Sequence, residues 1–302
     1  MTPYVRAALR ALPSRPGVYI FRARTGRALY IGRAGDLRRR VRSYWSNGRA
    51  RPGDHRRSAA SAAWIDPIVC ASEHEAAMLE RNLLEASGPI ANHMDGTETP
   101  TLLELRTDLR RVVAVHPTDL PRGTRFGPYL GGTVTRAAAD ALNSLYPLDA
   151  VGTDAVRLSR ELVRARGRSL PDDLEGELRA VLSGDSRAVA AAIATLEARR
   201  DASAAALRFE YAATVQRQLN AIRWISATQR TRRSDLVDAD GAASEGGIHV
   251  LFRMRAGSVI ERRWSAARRP RIAADLSDAL VDMARENAAL LVAMTAAGAV
   301  PV

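Results

Sequence analysis

The sequence predicts an α+β protein: a small antiparallel sheet flanked by helices, followed by a helical hairpin and a small C-terminal α/β segment. Three observations carry that expectation. Short runs of alternating apolar residues near the N-terminus are interleaved with amphipathic helical patterns, a mixture that no all-α or all-β fold produces. Residues 172–227 are alanine-rich, charged and without proline, so they read as helix. Strand-like runs return after residue 233 and give way to a last helical pattern at 273–297.

Residues 16–32 read as a β-hairpin, because Val18 and Ile20 alternate with Tyr19 and Phe21, and Thr25-Gly26 supplies a turn before 28–31. Asp36 is set to cap a helix whose inward residues Leu37, Val41 and Tyr44 recur at i, i+4 and i+7. Arg38, Arg39 and Arg42 lie on its other faces. Residues 45–61 are polar and Arg-rich, with Gly48, Pro52 and Gly53, and read as a basic loop. Residues 64–70 read as a strand that Pro67 restricts to an edge or a bulge. Ser72 and Glu75 form a capping box opening a helix to about residue 86, with Gly88-Pro89 as its stop. Further strand is expected over 101–116, a turn over 126–132 and a helix over 134–145. The C-terminal strands are expected at 234–238, 247–254 and 259–264. The expected domains are 1–100, a continuation at 101–150, a helical linker at 151–182, a hairpin at 183–230 and the segment 234–302.

The net charge is +12, and all 45 basic residues are Arg. A GC-rich coding sequence explains that bias, yet Arg also grips phosphate with a planar fork. Placement says more than the total. Residues 1–66 hold 15 Arg against Asp36, Asp54 and Asp66, so this fifth of the chain matches the net charge of the whole. A polyanion is the expected partner, bound with steep salt dependence. Cys70 is the single cysteine, which excludes a disulfide or a cysteine metal cluster within one chain. The histidines have no zinc spacing, and neither a phosphate-binding loop nor a dinucleotide fingerprint is present. No apolar run approaches the ~20 residues that span a bilayer, and the N-terminus has no secretory signature, so a cytoplasmic location is expected.

Gly17-Val18-Tyr19, followed by Tyr30-Ile31-Gly32 and a basic stretch from Arg33 to Tyr44, resembles the GIY-YIG nuclease family. The wording from Leu12-Pro13 through Pro16-Gly17 to Arg42-Ser43-Tyr44 is most similar to its UvrC-like, excision-repair branch. That resemblance implies a metal-dependent DNA endonuclease acting on damaged double-stranded DNA, with Mg2+ or Mn2+ as cofactor. It implies Tyr30 as the proton acceptor and Arg40 as the group holding the scissile phosphate. Tyr19 and Arg33 complete the motifs, Tyr44 orients solvent, Glu80 is the lone protein ligand of the metal, and Asn92 supports the site. By residue pattern alone, Glu80 sits beside the apolar stripe of Ala76, Leu83 and Leu84, which a partly exposed or Arg-paired Glu fits as well. A free phenol is a poor base, so Arg33 and Arg40 are expected to lower the Tyr30 pKa. Arg38, Arg39 and Arg42 are expected on the DNA backbone.

Residues 207–219 partly resemble the UVR motif, which implies docking on the excision-repair helicase UvrB through Phe209, Glu210 and Leu219. Arg217 departs from the acidic residue of that motif, and an ordinary helical pair packing within the chain fits the pattern equally. Residues 234–302 resemble the start of an RNase H-like domain, too short for a second nuclease. Two rival readings remain: a non-catalytic adaptor for DNA and helicase, and the same nuclease chemistry in recombination or defence.

Overall fold

The computed structural model describes residues 1–45, 54–87, 99–150 and 173–301. Contacts divide the chain into two compact units, residues 1–97 with 228–302, and residues 98–227.

The first unit opens with α1 (Pro3–Ala11), β1 (Gly17–Arg22), β2 (Ala28–Ala34), α2 (Leu37–Arg42), α3 (Asp54–Ser61), β3 (Trp64–Val69) and α4 (Glu73–Ser87). The three strands form an antiparallel sheet in the order β2-β1-β3. Gly26, at φ 82°, supplies the left-handed backbone of the expected hairpin turn. Thr2 caps α1 ahead of Pro3, and Asp36 caps α2 by accepting from the Arg39 N–H at 2.8 Å. The capping box of α4 forms with a one-residue offset: Ser72 Oγ accepts from Glu75 N at 2.9 Å, while Glu75 accepts from Ala71 N at 2.7 Å.

The register sorts side chains between two faces. Tyr19 lies opposite Gly32 and Phe21 opposite Tyr30, and these aromatics pack with Val5, Leu12, Leu37 and Val41 of the α1–α2 side. Val18, Ile20, Ile31 and Ile68 point the other way, onto Ala76, Leu79 and Leu83 of α4.

Residues 98–227 contain β4 (Pro100–Arg106), β5 (Arg111–Val115), β6 (Thr124–Leu130) and α5 (Gly132–Leu145), then α6 (Leu174–Ser183), α7 (Ser186–Ala205) and α8 (Phe209–Ile225). Their sheet order is β5-β4-β6. The stretch expected as a turn over 126–132 is instead mostly strand, with Phe126 paired to Leu103 and Tyr129 to Thr101. Pro128 is tolerated because β6 is an edge strand whose register shifts there. The linker expected at 151–182 falls partly on 151–172, outside the described residues.

The chain then adds β7 (Ala239–Glu245), β8 (Ile248–Arg255), β9 (Ser258–Ser265) and α9 (Asp278–Ala296) to the first unit. Val250, Phe252, Leu280 and Met283 share the core of Val18 and Leu79. Residues 234–238, expected as a strand, carry none. The last helix starts at Asp278 rather than 273, because the buried Asp240 carboxylate holds the N–H groups of Ala273 and Ala274 at 2.7 and 3.3 Å outside any helix.

β3 carries Pro67 at a sheet edge, as expected, and its exposed backbone is covered from within. The Asn287 amide accepts from Val69 N at 2.9 Å and donates to Val69 O at 3.1 Å, acting as one residue of an additional strand. Asn143 covers Val112 of edge strand β5 in the same way, both bonds being 2.8 Å.

Candidate active site

The two Gly-Tyr motifs meet because they face each other across β1 and β2. A Cβ at Gly32 would lie 2.5 Å from the Tyr19 hydroxyl and 2.8 Å from Tyr30 Cε1, so only glycine lets the two phenols converge there. A Cβ at Gly17 would lie 2.2 Å from Ile68 O, so this glycine lets β1 and β3 approach.

Tyr19 is buried, and its hydroxyl lies 2.6 Å from that of Tyr44, just beyond α2. The Tyr30 ring stands 6.2 Å from that of Tyr19, and its hydroxyl also bonds to Tyr44. Tyr44 thus joins three phenols into one hydrogen-bonded group. Arg40 bonds to Tyr19 and lies with its guanidinium carbon 5.3 Å from the Tyr44 ring centroid, a cation–π contact. Phe21 and Trp45 buttress the group, with Phe21 5.1 Å from Tyr44 and 5.7 Å from Trp45. Sequence reasoning missed both, although the alternation in β1 puts Phe21 on the Tyr19 face.

Glu80, on α4 beside β2, is partly exposed and pairs with Arg33 at 3.4 Å. Its charge also acts on Tyr30. Tyr19, Tyr30, Arg33, Arg40, Tyr44 and Glu80 are therefore brought together, whereas Asn92 lies outside the described residues. Arg39 is exposed on α2, but Arg38 and Arg42 are partly committed. Their Nε atoms donate to Leu12 O at 2.6 Å and Leu9 O at 2.7 Å, closing the C-terminal carbonyls of α1.

The electrostatics correct one expectation. Burial raises the Tyr30 pKa well above the ordinary phenol value, the neighbouring Tyr44 and Glu80 raise it further, and only Arg40 opposes them. Arg33 is turned to Glu80. Tyr19 is raised too, by burial first and then by its neighbours Tyr44 and Tyr30. Burial works against the Arg40 charge, but its bond to Tyr19 and the surrounding phenols outweigh this and raise its pKa. The resting site is a set of protonated phenols held against a permanent cation.

In the other unit, α7 and α8 pack together and expose Leu207, Phe209 and Tyr211, at 74%, 64% and 49%, around their connection. Glu210 is exposed beside them. Leu219, expected at a partner surface, is instead completely buried with Val215 and Ile222, because its face of α8 builds the unit's own core. His74, on α4 of the first unit, is buried.

Residues 15–93 match the family of UvrC-like GIY-YIG domains. The chain is 29% identical over 278 residues to the UvrABC system protein C of Chlorobium phaeobacteroides, covering 83% of this chain and 43% of that protein. It is 30% identical over 275 residues to the UvrABC system protein C of Symbiobacterium thermophilum, covering 84% and 43%. It thus spans less than half the length of these curated relatives. The magnesium-bound GIY-YIG N-terminal endonuclease domain of UvrC from Thermotoga maritima is 34% identical, covers 31% of this chain and 100% of its own, and superposes with a TM-score of 0.28.

Proposed function

We propose, from the UvrC-like GIY-YIG domain in residues 15–93, that the chain is a metal-dependent DNA endonuclease incising damaged duplex DNA in nucleotide excision repair. The observation that carries this reading is the meeting of three phenols, Arg40 and the Arg33–Glu80 pair within that segment. The adaptor reading would not need these groups to converge.

Glu80 offers one hard, partly exposed oxygen donor, and no cluster of three or more metal-binding side chains forms among the described residues. That donor set fits Mg2+ or Mn2+, which keep several waters in their shells. A divalent cation there supplies charge neutralisation for the phosphate and lowers the proton affinity of groups beside it. Arg40, fixed on Tyr44 and Tyr19, is set to bind a phosphate oxygen and to stabilise the charge that grows on it. Tyr30 orients water through its hydroxyl, and it accepts the proton of that water only after releasing its own to solvent, a loss that a divalent cation held at Glu80 would favour by offsetting the negative charge there. Tyr44, bonded to both other phenols, fixes their orientation.

The exposed Phe209 and Tyr211 support docking of the α7–α8 pair on the helicase UvrB, with Phe209 as anchor. Incision of a duplex carrying one bulky lesion, with magnesium or manganese and with or without that helicase, tests the whole reading. Cleavage that requires the cation and is lost in Glu80→Ala is the expected result. Equal cleavage by Glu80→Ala and the parent would refute it.

A further inference from the structure

A second cationic site lies on the C-terminal sheet, away from both Gly-Tyr motifs in sequence. Residues of β8, β9 and the irregular segment that follows enclose a groove of about 440 Å³, lined by Arg253, Arg263, Trp264, Arg268, Arg269 and Arg271 among others. No carboxylate lines it. Arg253 and Arg263 are paired with Glu261 at 3.0 and 2.6 Å, whereas Arg268, Arg269 and Arg271 are exposed and meet no carboxylate among the described residues. Three uncompensated cations within four positions repel one another and gain from an anion between them.

The segment that presents them is held at both ends. Ser265 Oγ accepts from the N–H groups of Ala267 and Arg268 at 3.1 and 3.2 Å, and Asp240 holds Ala273 and Ala274. In the middle, Arg253 donates to Arg271 O at 3.3 Å. The cations are therefore presented on a fixed backbone, which reduces the ordering cost of binding. Trp264 borders the groove with a partly exposed ring, fixed from behind by Trp64, whose ring meets it edge-on at 6.1 Å.

We propose that this groove binds single-stranded nucleic acid, with one base against Trp264 and the adjoining phosphates on Arg268, Arg269 and Arg271. A concave pocket of nucleotide size with an aromatic wall fits a base freed from its stack, whereas a duplex offers only its phosphate ridges to such a pocket. The inference rests on the reading of the chain as a DNA-cutting enzyme, for which it supplies a hold on the strand opened beside a lesion.

The test is fluorescence anisotropy of a labelled 12-nucleotide oligothymidylate titrated with the full chain at several salt concentrations. R268A/R269A/R271A is expected to bind about tenfold or more weakly, with a salt slope smaller by about 2, since each single-strand phosphate contact contributes about 0.7. Trp264→Leu, which keeps apolar bulk, should lose about fivefold or more. R122A/R187A/R208A, removing the same charge from exposed positions of residues 98–227, should lose less than twofold. Unchanged affinity in the first triple variant, equal loss in the control, or a larger loss for a 12-base-pair duplex would overturn the proposal. Parent protein that cuts lesion-bearing DNA alongside any of these results would remove the groove and leave the nuclease reading intact. Parent protein that never cuts, yet binds the oligonucleotide through these arginines, would do the reverse.

Discussion

Tyr30 carries the sharpest consequence at the scale of single residues. Burial, Tyr44 and Glu80 raise its pKa, so its proton stays on at neutral and mildly alkaline pH. Spectrophotometric titration of the parent and Tyr30→Phe should coincide up to pH 10; a phenolate signal present only in the parent below that pH would show that the cations win. Tyr30→Phe should nonetheless lose about 10²- to 10⁴-fold in cleavage while keeping DNA affinity. The arginines of α2 divide by what they touch. Arg40→Ala should be nearly inactive and Arg39→Ala should mainly weaken duplex binding, reducing the salt slope by about 0.9. Arg38→Ala should also destabilise the fold by about 1 kcal/mol, because it leaves the Leu12 carbonyl without its donor. Equal melting points for the Arg38 and Arg39 variants would remove that distinction. His74 supplies a stability prediction with a defined sign. Burial lowers its pKa from 6.5 to about 4, so the folded state keeps it neutral where the unfolded chain takes up a proton. Its contribution is complete above pH 6.5 and is lost as pH falls towards 4, a change of about 3 kcal/mol. Unfolding curves of His74→Gln should lack that acid slope, and parallel curves for variant and parent would refute the assignment.

Elements were legible in the sequence wherever a local rule decided them. The hairpin, the Asp36 cap and the Ser72–Glu75 box each follow from a few adjacent residues, and each is present. The misread stretches are those that tertiary context decides. Residues 126–130 look like a turn because Gly127 and Pro128 are turn residues, but β4 offers them an edge to pair with. The segment 273–277 looks helical by composition, yet a buried Asp240 claims its N–H groups. Tyr19, Tyr30, Arg40 and Glu80 were legible as candidates only through the resemblance of their motifs to a known family, and the structure brings them together, whereas the direction of the Tyr30 shift was not legible, since burial and the Arg33–Glu80 pair exist only in three dimensions. The α7–α8 pair divides in the same way. Leu219 is core by the unit's own packing, while Phe209 is left outside it. Phe209→Ala should weaken helicase binding by about 2 kcal/mol or more with little effect on melting, as befits an exposed anchor. A large loss of stability with unchanged affinity would assign the aromatic to folding alone.

The first unit as a whole is assembled from two distant stretches of sequence, and buried charge joins them. Asp66 of β3 is buried and accepts from Arg22 at 2.6 Å, and it pairs with Arg262 of β9, also buried. Glu75 of α4 is buried against Arg230, which reaches on to Glu286, and Glu286 in turn to Arg15 at 2.8 Å. These pairs contribute less to net stability than their number suggests, since desolvation offsets much of their attraction. Their effect on assembly is stronger: an Asp66 left without Arg262 is a buried carboxylate with Arg22 as its remaining ionic partner. Arg262→Met should therefore destabilise the unit by about 3 kcal/mol or more. Adding Asp66→Asn should recover part of that loss, because it removes the buried carboxylate, and the Arg22 left behind is partly exposed and keeps the Gly26 carbonyl and the Trp64 ring as partners. Urea unfolding of both variants measures the difference. A double variant less stable than Arg262→Met would mean that Arg22 alone satisfies Asp66, and that residues 228–302 are held on the N-terminal sheet by their apolar core without help from this pair.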